Sequence, residues 1–395
     1  MKVVITCVPA AGHFHPLLPL AHALVDAGDD VVVSSGPSIC AQAERLGFDT
    51  APVGAELRDW QATLGGRMLR GSPGDGLPPD RILPYFYPRL FGEIGAPDMA
   101  ADLVPLVERL APDLVVFDSV TLAGPLAAAA VGVPGVHHTV SLLPPVEVWQ
   151  LCADAVSPLW RSFGLQPRPF AGLFEDLTLA IWPASLDAAV GYGVKVDRMQ
   201  PVIFDATGDE ALPDWVPALA DRPTVYMTLG TELNSDVSVF RAALDALAEE
   251  PVNLVVTVGR ANDPSMLDPV PANARVERYI PQSLLLPHCD AVISHGGSGT
   301  TLAALWQGLP QVVIPQGADQ FVNAELCSEA GAARTLQPDQ VSPESVRDAV
   351  RAVLADEGGI RRAARRLAGE MAAMAKPEEW VPRLHQLAEG GAGTR

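Results

Sequence analysis

The chain has 395 residues, of which 48% are hydrophobic and 19% are charged, so intrinsic disorder is excluded as its main state. This length predicts two or three domains rather than a single core. The 27 basic and 47 acidic residues leave a net charge of −20, which argues against a nucleic acid partner because phosphate binding needs clustered Lys and Arg.

Short apolar runs alternate with helical segments along the chain. The first run, residues 2–8, precedes a helix that Pro16 is suited to open and Gly28 to end, and the next run follows Asp30. Continuously apolar strands that alternate with helices are typical of parallel sheets covered on both faces. The predicted fold class is therefore α/β.

No segment predicts membrane insertion. The N-terminal run is short and lacks a cleavage site, so it is interpreted as a strand and not as a signal peptide. Residues 119–146 carry no Asp, Glu, Lys or Arg, but glycines and prolines interrupt them, which suits a buried helix followed by a buried strand. The five cysteines have no CxxC spacing and are interpreted as inert thiols. We expect a soluble, cytoplasmic protein.

Two segments, residues 112–136 and 289–313, share one plan. Each has an Asp, a strand, a polar residue at the end of that strand, an Ala/Leu-rich helix and a Gly-hydrophobic-Pro turn. Asp118 and His295 occupy equivalent strand ends. The match predicts two Rossmann-like domains, in which ligands bind at the carboxyl ends of the strands.

Composition also predicts the domain boundaries. Residues 1–205 form the first domain, and the Asp-, Pro- and Ala-rich residues 206–222 form the interdomain linker. Residues 223–376 form the second domain, and residues 377–395 form a terminal segment with helical spacing.

The strongest local motif is HGGSGTT at residues 295–301, between a strand and a helix. Its glycines allow a ligand to approach the backbone, and Ser298, Thr300 and the amides of the first helical turn are donors for an anion. A helix N-terminus carries about half a positive charge, so a diphosphate needs no lysine there. A tight turn without a ligand would explain the same pattern. The GK[ST] of a phosphate loop and the GxGxxG of NAD-binding proteins are absent.

Two further segments suit the rest of a nucleotide-sugar ligand. In PQGADQFVNA, residues 315–324, the side chains of Asp319, Gln320 and Asn323 suit a polyhydroxylated ligand, although Asp319 is also suited to cap a helix. The segment 279–282 is suited to pair its backbone with a flat base.

In the first half, the motif GHFHP, residues 12–16, follows the first strand. His13 is a candidate general base, and Asp118 is placed to bond its far ring nitrogen and fix its tautomer. The alternative is a structural histidine at a helix start and a capping aspartate. No histidines have metal-ligand spacing, and no Asp-x-Asp pair is present to hold a metal-bound diphosphate, so no metal is expected.

Together GHFHP, Asp118, the linker, HGGSGTT and GADQFVNA resemble the family 1 glycosyltransferases of GT-B fold, most closely the bacterial enzymes that glycosylate macrolides and other natural products. The resemblance covers nearly the whole chain. It implies two facing Rossmann-like, doubly wound domains with an interdomain cleft. The first domain takes the acceptor, the second takes the nucleotide sugar, and the terminal helix crosses back to the first domain.

The resemblance also implies roles for individual residues. His13 resembles the catalytic base and Asp118 resembles its partner. The positions that resemble donor-binding contacts are Gly230 and Thr231 for the diphosphate and sugar, Ile280 and Gln282 for the base, His295, Gly297, Ser298, Gly299 and Thr300 for the diphosphate, and Asp319 and Gln320 for the sugar hydroxyls.

One departure from the family pattern concerns the donor. Many members that use UDP-sugars have a glutamate eight residues after the motif histidine, where it holds the ribose hydroxyls, but this chain has Ala303. Since dTDP has no 2′-hydroxyl, the substitution favours a dTDP-sugar over a UDP-sugar. The sugar is then often a deoxysugar in this family.

The sequence therefore predicts a metal-independent, inverting glycosyltransferase of the hexosyltransferase type that acts in antibiotic biosynthesis as a monomer or homodimer. The nucleotide sugar is a cosubstrate, and no cofactor is expected. Aromatic residues of the first half suggest a hydrophobic aglycone, or only packing, and they are Trp60, Tyr85, Phe86, Phe91, Trp149 and Phe174. The alternatives are a sugar-nucleotide epimerase of the same fold and a non-catalytic nucleotide-sugar-binding auxiliary protein.

Overall fold

The computed structural model describes residues 1–65, 77–186, 192–205, 211–219, 221–230 and 237–392. The chain divides into two compact units. Unit 1 contains the described residues of Met1–Met68, Asp80–Val202 and Met374–Arg395, and unit 2 contains those of Leu69–Pro79 and Ile203–Ala373. The predicted domain boundaries stay predictions, because part of the predicted linker lies outside the described ranges.

Unit 1 is built on a parallel sheet. Its strands are β1 (Lys2–Thr6), β2 (Asp30–Ser34), β3 (Asp49–Thr50), β4 (Leu114–Asp118), β5 (Gly135–Thr139), β6 (Leu177–Ala180) and β7 (Asp197–Arg198). Their order is β3-β2-β1-β4-β5-β6-β7, and each neighbouring pair is parallel. This order places the topological switch point between β1 and β4, as in a Rossmann fold.

Helices connect these strands across the first half of the chain. They are α1 (Ala11–Phe14), α2 (Leu18–Asp26), α3 (Pro37–Arg45), α4 (Leu57–Thr63), α5 (Pro79–Phe86), α6 (Ala96–Leu110), α7 (Ala123–Val131) and α8 (Val146–Ser162). A π-helical segment, Tyr87–Gly95, joins α5 to α6. Within the uncharged stretch 119–146, α7 and β5 form the buried helix and strand that the sequence predicts.

Unit 2 repeats the plan. Its strands are β8 (Thr224–Thr228), β9 (Asn253–Thr257), β10 (Ala274–Glu277), β11 (Ala291–Ser294), β12 (Gln311–Val313) and β13 (Ala333–Thr335). They lie parallel in the order β10-β9-β8-β11-β12-β13. Its helices are α9 (Val237–Leu247), α10 (Gln282–Leu285), α11 (Ser298–Trp306), α12 (Gln320–Glu329), α13 (Pro343–Leu354) and α14 (Ile360–Ala372). The prediction of two Rossmann-like α/β domains is confirmed.

The unit 2 sheet is buried on both faces. Along β8, Val225 and Met227 pack into one apolar cluster, whereas Tyr226 between them packs into a second cluster on the opposite face. Successive side chains of a strand point to opposite faces, so a strand covered by helices on both sides must be continuously apolar.

The register of each sheet brings several chain segments to one edge. In unit 1, Thr6 of β1 lies beside Phe117 of β4, so the segment after β1 emerges next to Asp118. In unit 2, Ser294 of β11 lies beside Thr228 of β8 and Val313 of β12. The segments that follow these three strands contain the glycine-rich turn and the GADQ motif, so both motifs emerge at the same sheet edge.

The C-terminal helix α15 (Pro377–Ala392) belongs to unit 1, where it packs on α2. The His385 Nε2 atom lies 2.9 Å from the buried Asp29 carboxylate, and Arg383 pairs with Asp197 at 3.0 Å. In the described part of the chain, no helix combines the length and apolar character that crossing a bilayer requires.

Candidate active site

A histidine–aspartate pair lies at the carboxyl edge of the unit 1 sheet. His13 belongs to α1, which follows β1, and Asp118 ends the neighbouring strand β4. The His13 Nδ1 atom lies 2.6 Å from Asp118 Oδ2, although the two residues are 105 positions apart in the sequence. The His13 side chain is 25% exposed and the Asp118 side chain is 0% exposed. This is the geometry of a base that a buried carboxylate orients.

Hydrogen bonds keep the Asp118 carboxylate ionised. Its oxygens also accept the backbone N–H groups of Val8 at 3.3 Å, Val120 at 3.1 Å and Thr121 at 2.7 Å. Burial raises the pKa of Asp118, but the charge of His13 and the hydrogen bonds from His13 and Thr121 outweigh it and hold this pKa below its usual value. Since ionised Asp118 accepts the Nδ1 proton, the imidazole lone pair of neutral His13 is on Nε2.

Two buried histidines lie on the neighbouring strand β5. Burial lowers the pKa of His137 to about 3 and that of His138 to about 4, so both rings are neutral at pH 7. His138 is the register partner of Asp118, and His137 Nε2 lies 2.9 Å from Ser119 Oγ. Because both rings are neutral, neither competes with His13 for the charge of Asp118.

Most of the aromatic residues considered as an aglycone surface are packed in the interior of unit 1. Tyr85 is 41% exposed, and the Phe174 ring packs edge-on against His137 with 5.0 Å between the ring centres. The others are buried, and they are Trp60, Phe86, Phe91 and Trp149. Packing, the alternative that the sequence leaves open, accounts for these buried residues.

In unit 2, the turn after β11 is built around His295. Burial lowers the pKa of His295 to about 4, so its ring is neutral at pH 7. A Cβ atom at Gly230 would lie 2.6 Å from this ring, and one at Gly297 would lie 2.3 Å from it. Gly230 also has a left-handed φ of 78°. Both positions therefore need glycine to accommodate His295, a requirement that residue spacing alone does not reveal.

Helix α11 begins at Ser298, directly after this turn. Its N-cap residue, Gly297, has extended backbone, and no side chain of the described ranges caps the helix. The backbone N–H groups of Ser298, Gly299 and Thr300 lie in the first turn, where no helical carbonyl can accept them. Together with the helix dipole, these N–H groups favour an anion here, and the diphosphate site stays a prediction. At Gly299, a Cβ atom would meet nothing within 4 Å.

Asp319 stands at the N-cap position of α12, but its side chain does not cap that helix. Its Oδ2 atom accepts hydrogen bonds from Ser298 Oγ at 2.9 Å and from Asn323 Nδ2 at 3.2 Å. The Gln320 Oε1 atom accepts two backbone N–H groups of the preceding turn, at 2.7 and 3.1 Å, which leaves its amide nitrogen to donate. The segment thus combines a carboxylate acceptor with an amide donor.

The hydroxyl of Ser298 donates its hydrogen bond within the protein and not to a ligand. Its single proton is donated to Asp319, so Ser298 offers an anion its backbone N–H and not its hydroxyl. The sequence motif predicts this hydroxyl as a donor for the ligand. Its actual partner comes from a different strand end, which only the sheet register brings close.

The predicted base-binding segment lies against the core of unit 2. Ile280 is 2% exposed, so only its backbone is available to a base. The Gln282 Nε2 atom donates to Thr300 Oγ1 at 3.0 Å and thereby joins this segment to α11. Ala303 is 1% exposed and belongs to the same apolar cluster as Ile280. Thr231, the remaining predicted contact, lies outside the described residues.

The cysteines take no part in either site. All five are free and buried, and burial raises the pKa of Cys289 and Cys327 to about 12. Across the described ranges, no group of three or more His, Cys, Asp or Glu side chains is arranged to hold a metal ion.

Comparison with known families identifies both halves of the chain. The N-terminal domain of erythromycin biosynthesis protein CIII-like proteins matches residues 87–230, and their C-terminal domain matches residues 241–387. The chain belongs to this family. The likeness extends to whole proteins with known activities, and these are sugar transferases. The protein is thus a family 1 glycosyltransferase, as the sequence motifs predict.

Individual relatives match this glycosyltransferase over nearly its full length. The L-demethylnoviosyl transferase of Streptomyces niveus is 32% identical over 382 residues, which cover 95% of this chain and 96% of the relative. The 10-deoxymethynolide desosaminyltransferase of Streptomyces venezuelae is 30% identical over 421 residues, with 98% and 97% covered. The structure of SsfS6 from Streptomyces sp. SF2575, complexed with thymidine diphosphate, is 27% identical with a TM-score of 0.77 and covers 98% of this chain and 99% of its own. The enzyme shares the GT-B fold class with this structure.

Proposed function

We propose that this glycosyltransferase moves a sugar, with inversion and without a metal, from a dTDP-deoxysugar to a hydroxyl of a hydrophobic natural-product aglycone. The observation that carries the proposal is the His13–Asp118 pair, with 2.6 Å between its nitrogen and oxygen atoms, in a chain of a sugar-transferase family. An acceptor hydroxyl is a poor nucleophile until a base takes its proton. This pair is built to supply that base.

In the proposed reaction, His13 Nε2 takes the proton of the acceptor hydroxyl while the hydroxyl oxygen attacks the anomeric carbon of the sugar. The bond from that carbon to the diphosphate oxygen breaks, and its electron pair leaves with dTDP. Because one displacement exchanges the two bonds, the anomeric configuration inverts. Asp118 stays ionised and stabilises the imidazolium that His13 becomes.

Unit 2 would bind the donor and stabilise its leaving group. As the bond to the sugar breaks, negative charge grows on the diphosphate, and the first-turn amides of α11 stabilise it without a metal ion. The sugar hydroxyls would donate to Asp319 and accept from the Gln320 amide. His295, which is neutral at pH 7, adds no positive charge, so the amides provide the electrostatic stabilisation.

Two observations support dTDP as the nucleotide of the donor. Position 303 carries a buried alanine, so this position offers no carboxylate to a ribose 2′-hydroxyl. A ligand without that hydroxyl leaves no polar group unpaired there. The second observation is the relative SsfS6, whose structure contains thymidine diphosphate.

The activities of the relatives support the proposed class of acceptor. One of these relatives is a 10-deoxymethynolide desosaminyltransferase. We propose a macrolide or comparable hydrophobic aglycone and a role in antibiotic biosynthesis. We further propose that the enzyme is cytoplasmic, acts as a monomer or homodimer, and has no nucleic acid or membrane partner, in keeping with its net charge of −20.

Calorimetric titration with dTDP, UDP and NAD, in separate runs with EDTA present, tests the donor site. Binding of dTDP in preference to UDP is expected. Preference for UDP would contradict the argument based on Ala303. Binding of NAD alone would contradict the proposed function.

Turnover is then tested with dTDP-sugars and a panel of macrolide and aromatic aglycones, again with EDTA. The product is expected to have the anomeric configuration opposite to that of the donor, as judged by NMR. Retention of configuration, or dependence on a divalent ion, would contradict the mechanism. Incubation of the donor alone is expected to give no isomerised sugar, whereas an epimerase would give one.

A further inference from the structure

Asn323 of α12 joins the two motifs of unit 2 from the inside. It is 0% exposed, and its Nδ2 atom lies 2.9 Å from Gly296 O, 3.2 Å from Ser298 Oγ and 3.2 Å from Asp319 Oδ2. One of its two N–H groups donates to Gly296 O, and the other is shared between Ser298 Oγ and Asp319 Oδ2. Gly296 and Ser298 belong to the glycine-rich turn after β11, and Asp319 belongs to the segment after β12. A single amide thus bridges the diphosphate motif and the sugar motif.

The chemistry of the partners fixes the orientation of this amide. A backbone carbonyl and a carboxylate only accept hydrogen bonds, so the group that faces them must be the NH2. The Ser298 hydroxyl accepts from Asn323 and gives its own proton to Asp319. Asn323, Ser298 and Asp319 therefore form a closed triangle in which the two donors converge on Asp319 Oδ2.

The two ends of the Asn323 amide differ in their surroundings. The Asn323 Oδ1 atom is buried without a hydrogen-bond partner among the described residues. A buried polar atom of this kind has an energetic cost, and an apolar side chain would avoid it only by giving up the hydrogen bonds that Nδ2 makes. The contacts of Asn323 with both motifs are therefore made through Nδ2 alone.

We propose that Asn323 is a positioning residue that holds the Asp319 carboxylate in a fixed place relative to the diphosphate-binding turn. The inference rests on the proposed function, in which Asp319 binds a sugar hydroxyl. Asn323 and Ser298 occupy one carboxylate oxygen, so the other is presented to the sugar in a single orientation. Recognition of the sugar is thereby coupled to recognition of the diphosphate.

A double-mutant cycle tests the inference, with dTDP-glucose and dTDP as the two probes. Asn323→Ala is expected to weaken binding of dTDP-glucose about tenfold and that of dTDP less than about threefold. In an Asp319→Ala background, the same substitution is expected to change the affinity for dTDP-glucose less than about twofold, because the group that it positions is gone. Equal effects of Asn323→Ala in both backgrounds would overturn the inference.

Failure of the proposed function would look different. If Asp319→Ala alone leaves the affinity for dTDP-glucose unchanged, Asp319 does not bind the sugar, and the sugar site itself is wrong. If Asp319→Ala weakens binding but the effects add, the sugar site stands and the role of Asn323 is wrong.

Two further variants separate positioning from folding. Asn273 is a matched control, because its Nδ2 atom also has three acceptors, the backbone carbonyls of Leu247, Glu250 and Val252. Asn273→Ala is expected to lower the melting temperature and to leave the ratio of dTDP-glucose to dTDP affinity unchanged. Ser298→Ala removes the other donor of Asp319 but keeps the backbone N–H. It is expected to weaken binding of dTDP-glucose more than binding of dTDP. Equal weakening of the two affinities would contradict the inference.

Discussion

Replacement of Asp118 by asparagine removes a charge and preserves the shape of the residue. Asp118 Oδ2 lies 2.6 Å from His13 Nδ1 and the side chain is fully buried, so water does not screen the pair at this end. Opposite charges centred about 4 Å apart interact by about 4 kcal/mol at an effective dielectric constant of about 20. This attraction develops as His13 takes up its proton. Since about 1.4 kcal/mol corresponds to tenfold in rate, Asp118→Asn is expected to lower kcat about a thousandfold.

The assay is kcat at saturating donor, with the donor and aglycone pair that the substrate panel identifies. Asp113→Asn is the matched control, because this carboxylate precedes β4 and accepts the Lys2 N–H at 2.7 Å at the opposite end of the strand. It is expected to retain kcat within about twofold. In a His13→Ala background, Asp118→Asn is expected to add less than about threefold, since the two residues act as one unit. A loss of kcat below about tenfold, or full additivity, would refute the reasoning.

Three further predictions concern single positions. His13→Ala is expected to lower turnover at least about a hundredfold through loss of the general base, and near-normal turnover with an alcoholic acceptor would rule out this role. Gly297→Ala is expected to weaken dTDP binding more than tenfold, because its Cβ would lie 2.3 Å from the His295 ring, whereas Gly369→Ala on α14, with nothing within 4 Å, should bind dTDP normally in the same titration. The pKa of folded His138 is lowered to about 4, so between pH 6.5 and 4 only the unfolded state binds this proton and the unfolding free energy falls as the pH falls. His138→Phe should flatten that dependence in urea titrations, and an unchanged slope would contradict it.

The fold and the histidine–aspartate pair were within reach of sequence reasoning. Continuously apolar strands alternating with helices predict parallel sheets, and parallel strands place their carboxyl ends at one edge. Motif residues that follow different strands must therefore meet, however far apart they are in the chain. His13 and Asp118 meet for this reason across 105 residues.

The secondary contacts of the donor site could not be predicted in the same way. The Ser298 hydroxyl donates its hydrogen bond to Asp319. The His295 ring occupies the space that a Cβ atom at Gly230 or Gly297 would need. Both arrangements depend on side-chain directions and distances of a few ångström between neighbouring strand ends. Residue types and spacings carry no such information. The orphaned oxygen of Asn323 is likewise visible only in three dimensions.

For the aromatic residues, the sequence leaves two alternatives open, an aglycone surface or packing. Trp60 lies in α4 and Trp149 lies in α8. Both side chains are buried in unit 1, so packing explains their presence. Large aromatic side chains stabilise a core strongly, so their presence does not by itself indicate a ligand surface.

Unit 1 contains segments from both the first and the last part of the chain. Exchanging halves between family members therefore changes contacts within unit 1. A hybrid joined once, after Val202, would combine this first half with a foreign terminal helix, and the contact of His385 with Asp29 would then depend on the other parent. Junctions after both Val202 and Ala373 would instead transplant Ile203–Ala373, the larger segment of unit 2, and keep every segment of unit 1 native. During synthesis, too, residues 203–373 emerge from the ribosome before unit 1 receives its last helix, so the inserted unit is complete first.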